Sequence, residues 1–357
     1  MRRRTLFLSF AILLIGAGIG IKTFQAEIGI ALFKRAAAER VGKDITVGLP
    51  DGLHVALCGT GSPLPNPGRA GACTLIIAGK HIFVVDAGEG GARNIALMGL
   101  PTARIERLFL THFHSDHIDG LGPMMLLRWA GSSNSSPLPI HGPEGVDAVV
   151  SGFNSAYTAD NGYRTAHHGE GITRRAAAGA VAVPFTLSGN SAVVYSADGV
   201  KITAFRVNHA PVAPAVGYRF DYKGRSVVIS GDTTPTPMLV AVAKGADILI
   251  HEALQPKLVG LISKSLDAKG IKKTAQITRD IVDYHTSPEG AAKAAQSAGV
   301  SELVLSHIVP AIPSPFFYPA FLGDAQRNFK GPITVGEDGM LFSLPAGGKA
   351  IEKKSLM

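Results

Sequence analysis

The pattern His-x-His-x-Asp-His places His112, His114, Asp116 and His117 within six consecutive positions. Without a cation among them, three imidazoles and a carboxylate packed this closely would repel protons and leave polar atoms unsatisfied. In an extended chain, His112 and His114 point to the same side and can bind one ion. A turn at Ser115 would direct Asp116 and His117 to a second ion. The pattern therefore predicts a metal centre, with Zn²⁺ favoured and Mn²⁺ or Fe²⁺ as alternatives.

Four ligands cannot saturate two ions, so further ligands must come from elsewhere in the chain. Apolar, strand-like segments lead directly to His209, Asp232 and His307. Such strand ends commonly deliver reactive groups to one edge of an α/β sheet. We expect His209 to complete the first site, His307 to complete the second, and Asp232 to bridge both ions. Taken singly, His209 and His307 could equally be core residues.

Strand-like and helical patterns alternate along the chain, which predicts the α/β class. The strand-like segments that end in polar residues are 54–57, 82–85, 107–110, 204–207, 226–229, 247–250 and 303–305. Helical patterns lie at 92–98, 124–129 and 287–298. Ser287 followed by Pro288 is a favourable start for the last of these helices.

The 357 residues divide into four predicted regions. Residues 1–24 contain an apolar run, 5–21, that follows three arginines. This layout is typical of a cleaved signal sequence or of an uncleaved membrane anchor, and we favour the anchor. The rest of the chain would then be exported. Residues 25–50 are predicted to form a linker, in which the pattern over 24–44 indicates an amphipathic helix. Residues 51–346 form the main domain, with an insertion or cap at about 142–180, and 347–357 a polar tail that we expect to fray.

Composition restricts the protein to a globular class, because 46% of residues are hydrophobic and only 17% are charged. The net charge of +8 is scattered, and Arg174-Arg175 and Lys272-Lys273 are its largest clusters in the main domain. Charge alone is weak evidence for nucleic-acid binding. Cys58 and Cys73 lie on neighbouring predicted strands. They could form a disulfide worth about 3 kcal/mol in an oxidising compartment, but two buried thiols are favoured.

Over about residues 51–345 the chain resembles the metallo-β-lactamase superfamily, specifically its ribonuclease Z and arylsulfatase-like branch. Besides the histidine cluster, the likeness rests on Gly59-Thr60-Gly61, Asp86-Ala87-Gly88, Gly217-Tyr218-Arg219, Ser230-Gly231-Asp232-Thr233, His251-Glu252-Ala253, Tyr284-His285-Thr286-Ser287 and Leu305-Ser306-His307. The resemblance implies a four-layer αββα sandwich. It also implies two metal ions held by His112, His114, Asp116, His117, His209, Asp232 and His307.

The resemblance also matches His285 to the family's catalytic histidine, with Glu252 as its orienting carboxylate. We expect two zinc ions to generate a bridging hydroxide, Asp116 to orient it, and His285 to protonate the leaving group. The alternatives are a capping or surface role for His285 and a structural ion pair for Glu252. His141 is expected to shape the fold, and His167-His168 to line the pocket or be solvated.

The leading expectation for the reaction is hydrolysis of a phosphodiester or an aryl sulfate ester. Enzymes of the ribonuclease Z type often carry a tRNA-gripping arm between the strands matching 217–219 and 230–233, whereas residues 220–225 predict a tight hairpin. With the export signal, this predicts a small anionic ester as partner, membrane contact through the N-terminus, and nucleic acid as a disfavoured partner. Asp232 in place of a thiolate ligand disfavours β-lactamase activity.

Several alternatives stay open at this stage. The first is a tRNA 3′-processing endonuclease of the ribonuclease Z type. The others are a lactone or thioester hydrolase and a non-catalytic, membrane-tethered binding protein. A homodimer is also kept open.

Overall fold

The computed structural model describes residues 22–131 and 134–357, which form parts of two compact units, Met1–Ile45 and Thr46–Met357. The predicted apolar run 5–21 lies outside the described residues. Among those that are described, no helix combines the length and the apolarity needed to cross a membrane.

In the first unit, helix α1 spans Gln25–Arg40, shorter than the predicted 24–44, and none of its residues is buried. The exposed apolar side chains of Ile28, Ile30, Leu32 and Phe33 point in several directions around it. Because one face does not collect them, the expectation of an amphipathic helix was wrong.

The second unit contains two β-sheets. Its strands are β1 Gly52–Gly59, β2 Cys73–Ala78, β3 His81–Val85, β4 Arg107–Phe109, β5 Leu138–Gly142, β6 Ala180–Pro184, β7 Ser191–Ala197, β8 Val200–Arg206, β9 Val216–Tyr222, β10 Arg225–Ile229, β11 Ile248–Leu254, β12 Glu302–Val309, β13 Ile333–Val335, β14 Met340–Pro345 and β15 Glu352–Ser355. One sheet has the order β15-β14-β1-β2-β3-β4-β5-β6 and the other β13-β12-β11-β10-β9-β8-β7.

Its helices are α2 Gly91–Leu97, α3 Ser115–Ile118, α4 Leu121–Ala130, α5 Val146–His168, α6 Pro237–Ala243, α7 Pro256–Ala268, α8 Lys272–Asp280, α9 Pro288–Ala298, α10 Tyr318–Leu322 and α11 Ala325–Asn328. A 3₁₀ turn, Ile281–Tyr284, follows α8. Helix α9 begins as predicted, since the Ser287 side chain accepts a hydrogen bond from the Gly290 amide at 3.1 Å.

The two sheets face each other across one apolar core, to which one sheet contributes Phe83 and Phe109 and the other Tyr218 and Phe220. A second core lies between the outer face of the β7–β13 sheet and helices that include α6 and α9. Helices α2 and α5 contact the other sheet at β1 and at β5 and β6. The predicted four-layer αββα sandwich is therefore confirmed.

Local structure differs from expectation in three places. Helix α5 lies where the sequence patterns named no helix, within the predicted insertion, and it connects the adjacent parallel strands β5 and β6. A capping role for 142–180 stays a prediction. The tail does not fray, because β15 pairs antiparallel with β14. Cys58 and Cys73 form a disulfide with an S–S distance of 1.98 Å, so the expectation of two thiols was wrong.

Two strand connections determine what surrounds the ends of the strands. Strands β9 and β10 are joined by Lys223 and Gly224 alone, both with positive φ, which is the predicted tight hairpin. By contrast, the connection from β11 to α9 holds two helices, α7 and α8, and the 3₁₀ turn. The sequence patterns did not predict this helical pair.

Candidate metal centre

The seven predicted ligands meet at one end of the sandwich, each at or just beyond the end of a strand. The strand before the histidine cluster, β4, ends at Phe109, and the cluster continues into the short helix α3 in place of the predicted turn at Ser115. Strand β12 carries His307 on a bulge, because Ser306 pairs with Glu252 and Ile308 with Ala253. His307 has a φ of 48°, so the bulge turns its side chain out of the ladder.

The first group of donor atoms comes from three imidazoles. His112 Nε2 lies 3.0 Å from His114 Nδ1, which lies 3.4 Å from His209 Nε2. His112 is fully buried. Burial, reinforced by the neighbouring His117, holds the pKa of His112 well below its usual value. His112 is therefore a neutral imidazole, the form that binds a metal ion.

The second group consists of Asp116, His117 and His307, all buried. Asp116 Oδ2 lies 3.1 Å from His307 Nε2 and 3.6 Å from His117 Nε2. Burial would raise the pKa of Asp116, but the two histidines lower it below its ordinary value. Asp116 is consequently an ionised carboxylate, able to bind a cation.

One oxygen of Asp232 faces both groups. Asp232 Oδ2 lies 3.3 Å from His307 Nε2 and 3.5 Å from His117 Nε2. It is also 3.9 Å from Nε2 of His112 and 3.9 Å from Nε2 of His209. Asp232 Oδ2 therefore lies between the two groups, where it would help to hold cations bound at either.

A second layer of hydrogen bonds orients the ligands. His117 Nδ1 donates to Asp86 Oδ2 at 2.8 Å, and His209 Nδ1 donates to the Tyr284 carbonyl at 3.0 Å. Each bond leaves Nε2 as the lone-pair nitrogen that faces the centre. Asp86 is itself fixed by the amide and hydroxyl of Thr111, both at 2.8 Å. These second-layer roles of Asp86 and Tyr284 were missed in the sequence, where the only signal was their membership of family motifs.

The donor set fits divalent cations. Among the described residues, buried His117 Nε2 and Asp232 Oδ1 have no hydrogen-bond partner. Burial alone would raise the pKa of Asp232, but His307 and His117 hold it well below its usual value. An ionised, fully buried carboxylate beside orphaned imidazole nitrogens requires positive charge, which bound cations supply. Five histidines and two aspartates without a thiolate suit zinc, manganese or iron.

His285 and Glu252 lie at the edge of this centre. His285 Nδ1 is 3.2 Å from Glu252 Oε1, which also accepts the Thr286 amide at 2.8 Å. Although burial would lower it, Glu252 raises the pKa of His285 to about 9. His285 also has a ring nitrogen close enough to Asp232 and His307 to form a third group of donor atoms. The geometry thus allows two roles for His285, a proton donor held by Glu252 or a metal ligand.

Three other histidines singled out in the sequence, His141, His167 and His168, belong to none of the donor groups found among the described residues. His141 is buried, stacks on Phe109 at 4.7 Å between ring centroids, and lies 3.2 Å from Arg107 Nη1, a structural environment. His167 and His168 are exposed at the end of α5.

Comparison with known proteins places the chain in a family. The model described as "Beta-lactamase superfamily domain" matches residues 81–308. Ribonuclease Z of Mycobacterium avium (strain 104) is 39% identical over 288 residues, which are 80% of this chain and 96% of that protein. Ribonuclease Z of Mycobacterium bovis (strain BCG / Pasteur 1173P2) is 38% identical over 289 residues, 80% of this chain and 96% of that protein.

Among solved structures, human tRNase Z, short form, matches with a TM-score of 0.56 and 23% identity over 82% of this chain and 99% of its own. The metallo-β-lactamase fold protein YhfI from Bacillus subtilis matches with a TM-score of 0.58 and 19% identity over 82% of this chain and 99% of its own. At these identities the two structures show the fold alone.

Proposed function

Since the chain belongs to the metallo-β-lactamase superfamily of metal-dependent hydrolases, in its ribonuclease Z branch, we propose that it is a phosphodiesterase that cleaves the 3′ trailer from precursor tRNA. The observation that carries the proposal is the pair of donor groups on either side of Asp232 Oδ2, with the His285–Glu252 pair beside them. The predicted partner, a small anionic ester with nucleic acid disfavoured, was wrong, because curated relatives that match 80% of the chain are named as ribonucleases. The aryl sulfate ester in the leading expectation is not supported by the relatives named above.

In this proposal His112, His114 and His209 would hold one zinc ion and Asp116, His117 and His307 a second, and Asp232 would contribute to both. Two divalent ions at such a centre supply charge stabilisation and a water molecule that is acidified toward neutral pH. The donor atoms fit zinc by chemistry, and fold and donor set together support divalent metal binding in general. The number and identity of the ions belong to the proposal.

The chain's own groups then have distinct tasks. Asp116 accepts a hydrogen bond from the attacking water and so orients it toward phosphorus. The Oδ2 atom of Asp116 lies 3.1 Å from His307 Nε2, among the donor atoms of the second group. His285 donates a proton to the leaving ribose oxygen, which otherwise departs as a poorly stabilised alkoxide. Glu252 is a positioning residue, because it holds His285 Nδ1 at 3.2 Å and is itself fixed by the amide of Thr286 at 2.8 Å.

The proposed location needs separate treatment. An N-terminal anchor and an exported domain stay predictions from residues 1–24, whose apolar run lies outside the described residues. The Cys58–Cys73 disulfide is typical of an oxidising compartment, while precursor tRNA is made in the cytoplasm. Fractionation of cells that express the full chain would locate the protein, and the activity assay below is independent of that result.

The test is incubation of the metal-loaded full-length protein with a precursor tRNA that carries a 3′ trailer. Release of the trailer as one discrete product is expected, with loss of activity after chelation and recovery on addition of Zn²⁺. The His114→Ala variant serves as the negative control, because it removes one donor from the first group. Hydrolysis of bis-p-nitrophenyl phosphate without any cleavage of precursor tRNA would refute the RNA substrate while retaining the phosphodiesterase.

A further inference from the structure

The chain between strand β11, which carries Glu252, and His285 folds into two helices next to the metal centre. It comprises α7, α8 and the following 3₁₀ turn, residues 256–284, named here the α7–α8 hairpin. It begins two residues after β11 ends at Leu254, and it ends at Tyr284, whose carbonyl accepts the Nδ1 hydrogen of His209. The hairpin is therefore tethered at both ends to residues of the site.

The hairpin packs firmly onto the rim of the centre. Val259 of α7 is buried in a small core with Val309, two residues beyond His307, and Leu64 and Ile281 pack against that core. The two helices are joined by a hydrogen bond from Ser263 Oγ to the Ala275 carbonyl at 3.1 Å and by the Arg279–Asp267 ion pair at 2.8 Å. These contacts fix the hairpin against the strands that carry Glu252 and His307.

The exposed side of the hairpin is basic. Residues 256–284 contain six basic and three acidic side chains. Asp267 pairs with Arg279 at 2.8 Å and with Lys272 at 3.6 Å. No ion pair within the described residues involves the four remaining cations, which are the exposed Lys257, Lys264, Lys269 and Lys273. The two remaining acids, Asp280 and Asp283, lie in the last turns before His285.

We propose that the α7–α8 hairpin is the RNA-docking surface of this protein, with Lys264, Lys269 and Lys273 contacting phosphates of the precursor tRNA beyond the scissile bond. This inference rests on the proposed function. Unpaired lysines on an exposed helical surface are suited to phosphate contacts, which supply most of the affinity for nucleic acid without reading its sequence. Helix α7 alone is about 20 Å long, enough to place charges along several nucleotides of a bound RNA.

The position of the hairpin supports RNA over other anionic partners. The β9–β10 connection is only two residues long, so it has no room for a docking arm. The longer helical connection lies between Glu252 and His285, the two residues assigned to protonation of the leaving group. The hairpin is therefore joined directly to both residues of that pair in the chain, which is why we assign the docking role to it. The exposed apolar side chains of Leu261 and Ile277 on the same hairpin make an anionic membrane the competing occupant.

The test uses the full-length triple variant Lys264→Gln/Lys269→Gln/Lys273→Gln. A matched control, Lys244→Gln/Lys330→Gln/Lys349→Gln, changes three exposed lysines near the opposite ends of the sheets. Lys244 precedes β11, Lys330 precedes β13, and Lys349 follows β14. Both variants are compared with the wild type in binding of precursor tRNA, in its cleavage, and in hydrolysis of bis-p-nitrophenyl phosphate.

We expect the hairpin variant to raise Kd and KM for precursor tRNA about tenfold to hundredfold near physiological salt. The slope of log Kd against log salt should fall by about 2 to 3, since each lost phosphate contact removes about 0.9. Turnover of bis-p-nitrophenyl phosphate should stay unchanged, because that substrate does not reach the lysines. The control variant should behave as the wild type in all three assays.

Unchanged Kd and salt slope in the hairpin variant would overturn the inference. So would loss of binding to phosphatidylglycerol vesicles in that variant with RNA binding intact, since that result assigns the lysines to lipid. If the wild type binds precursor tRNA through these lysines yet never cleaves it, the docking surface stands and the proposed function fails. The two failures are therefore distinguishable.

Discussion

Replacement of His285 by alanine is expected to slow cleavage of precursor tRNA by a factor of about 10² to 10⁴, the usual contribution of a general acid. The His285 ring lies 5.3 Å from that of His209 and 5.5 Å from that of His307, measured between centroids. A substrate phosphate held at the ligands of both groups is therefore within reach of the imidazole. The proposed role of His285 is to supply the proton that the leaving ribose oxygen requires.

The size of the effect should depend on the leaving group. Departure of p-nitrophenolate needs little protonation, because that anion is stable in water. The His285→Ala variant should therefore lose less than about tenfold in turnover of bis-p-nitrophenyl phosphate. Measuring kcat/KM for both substrates with the same enzyme preparation separates loss of the acid from loss of folded protein.

A second variant, Glu252→Gln, tests the same assignment through pH. Burial lowers the pKa of His285, but the Glu252 carboxylate raises it to about 9, so the imidazolium is present at neutral pH. RNA cleavage should then decline as pH rises through the pKa of this acid. Removal of the carboxylate charge lowers that pKa, so the alkaline limb of kcat/KM should move to lower pH.

Metal content decides between the two roles that the geometry allows for His285. The His285→Ala variant should retain as much bound zinc as the wild type when measured by elemental analysis. Loss of zinc would identify His285 as a ligand, consistent with its closeness to Asp232 and His307, and would refute the acid role. An equal loss of rate on both substrates with full zinc would also refute it.

Three further results are expected. In Gly88→Ala, the new Cβ would lie 2.3 Å from the Asp116 carbonyl oxygen. Zinc content and Tm should both fall, and the free energy of unfolding measured by calorimetry should drop by about 1 to 3 kcal/mol. Cys58→Ser/Cys73→Ser should lower the free energy of unfolding by about 3 kcal/mol in urea, and alkylation before lysis should leave both wild-type cysteines unlabelled. Burial and the nearby Arg107 lower the pKa of His141 from 6.5 to about 4. The neutral His141 side chain therefore contributes at most about 3 kcal/mol to the free energy of unfolding, a contribution present above pH 6.5 and lost as pH falls toward 4. In His141→Gln, the free energy of unfolding in urea should consequently fall less steeply between pH 6.5 and pH 4 than in the wild type.

Much of the metal centre could be predicted because its chemistry is concentrated in sequence. His112, His114, Asp116 and His117 form one short run, so their shared need for cations is visible without a structure. His209, Asp232 and His307 are separated by long stretches of chain. They could be grouped because each follows an apolar, strand-like segment, and the structure brings all seven side chains together.

The features that were missed depend on contacts between distant segments. Asp86 orients His117 at 2.8 Å, but the Asp86-Ala87-Gly88 motif by itself does not show which side chain Asp86 contacts. Pairing of the tail with β14 is set by register against Met340–Ser343, which a polar sequence does not reveal. The helix within the predicted insertion was also missed, and a glycine lies inside it. Helix α5 nevertheless continues through Gly162, whose intrinsic penalty of about 1 kcal/mol is small against tertiary packing.

The geometry of the centre is determined by how the two sheets are held together. The β1–β6 sheet leads into the histidine cluster, whereas His209, Asp232 and His307 belong to the other sheet. A shift between the sheets would therefore change the distances from Asp232 to His112 and His117. Hydrogen bonds prevent such a shift directly beside the ligands. Tyr218 Oη donates to the Leu110 carbonyl at 2.6 Å, and the Val216 amide donates to the Thr111 carbonyl at 3.0 Å.

On the other side of the centre, the Ile308 amide donates to the Thr60 carbonyl at 2.9 Å, next to His307. The Cys58–Cys73 disulfide closes the loop that contains Thr60 and so fixes this second attachment. The ligands thus lie between two attachments that join the sheets, which explains the Gly-Tyr-Arg and Gly-Thr-Gly motifs although neither supplies a ligand. The spacing of the ligands consequently depends on how the two sheets are joined. Substitutions at these attachments should therefore lower metal affinity although every ligand residue is still present.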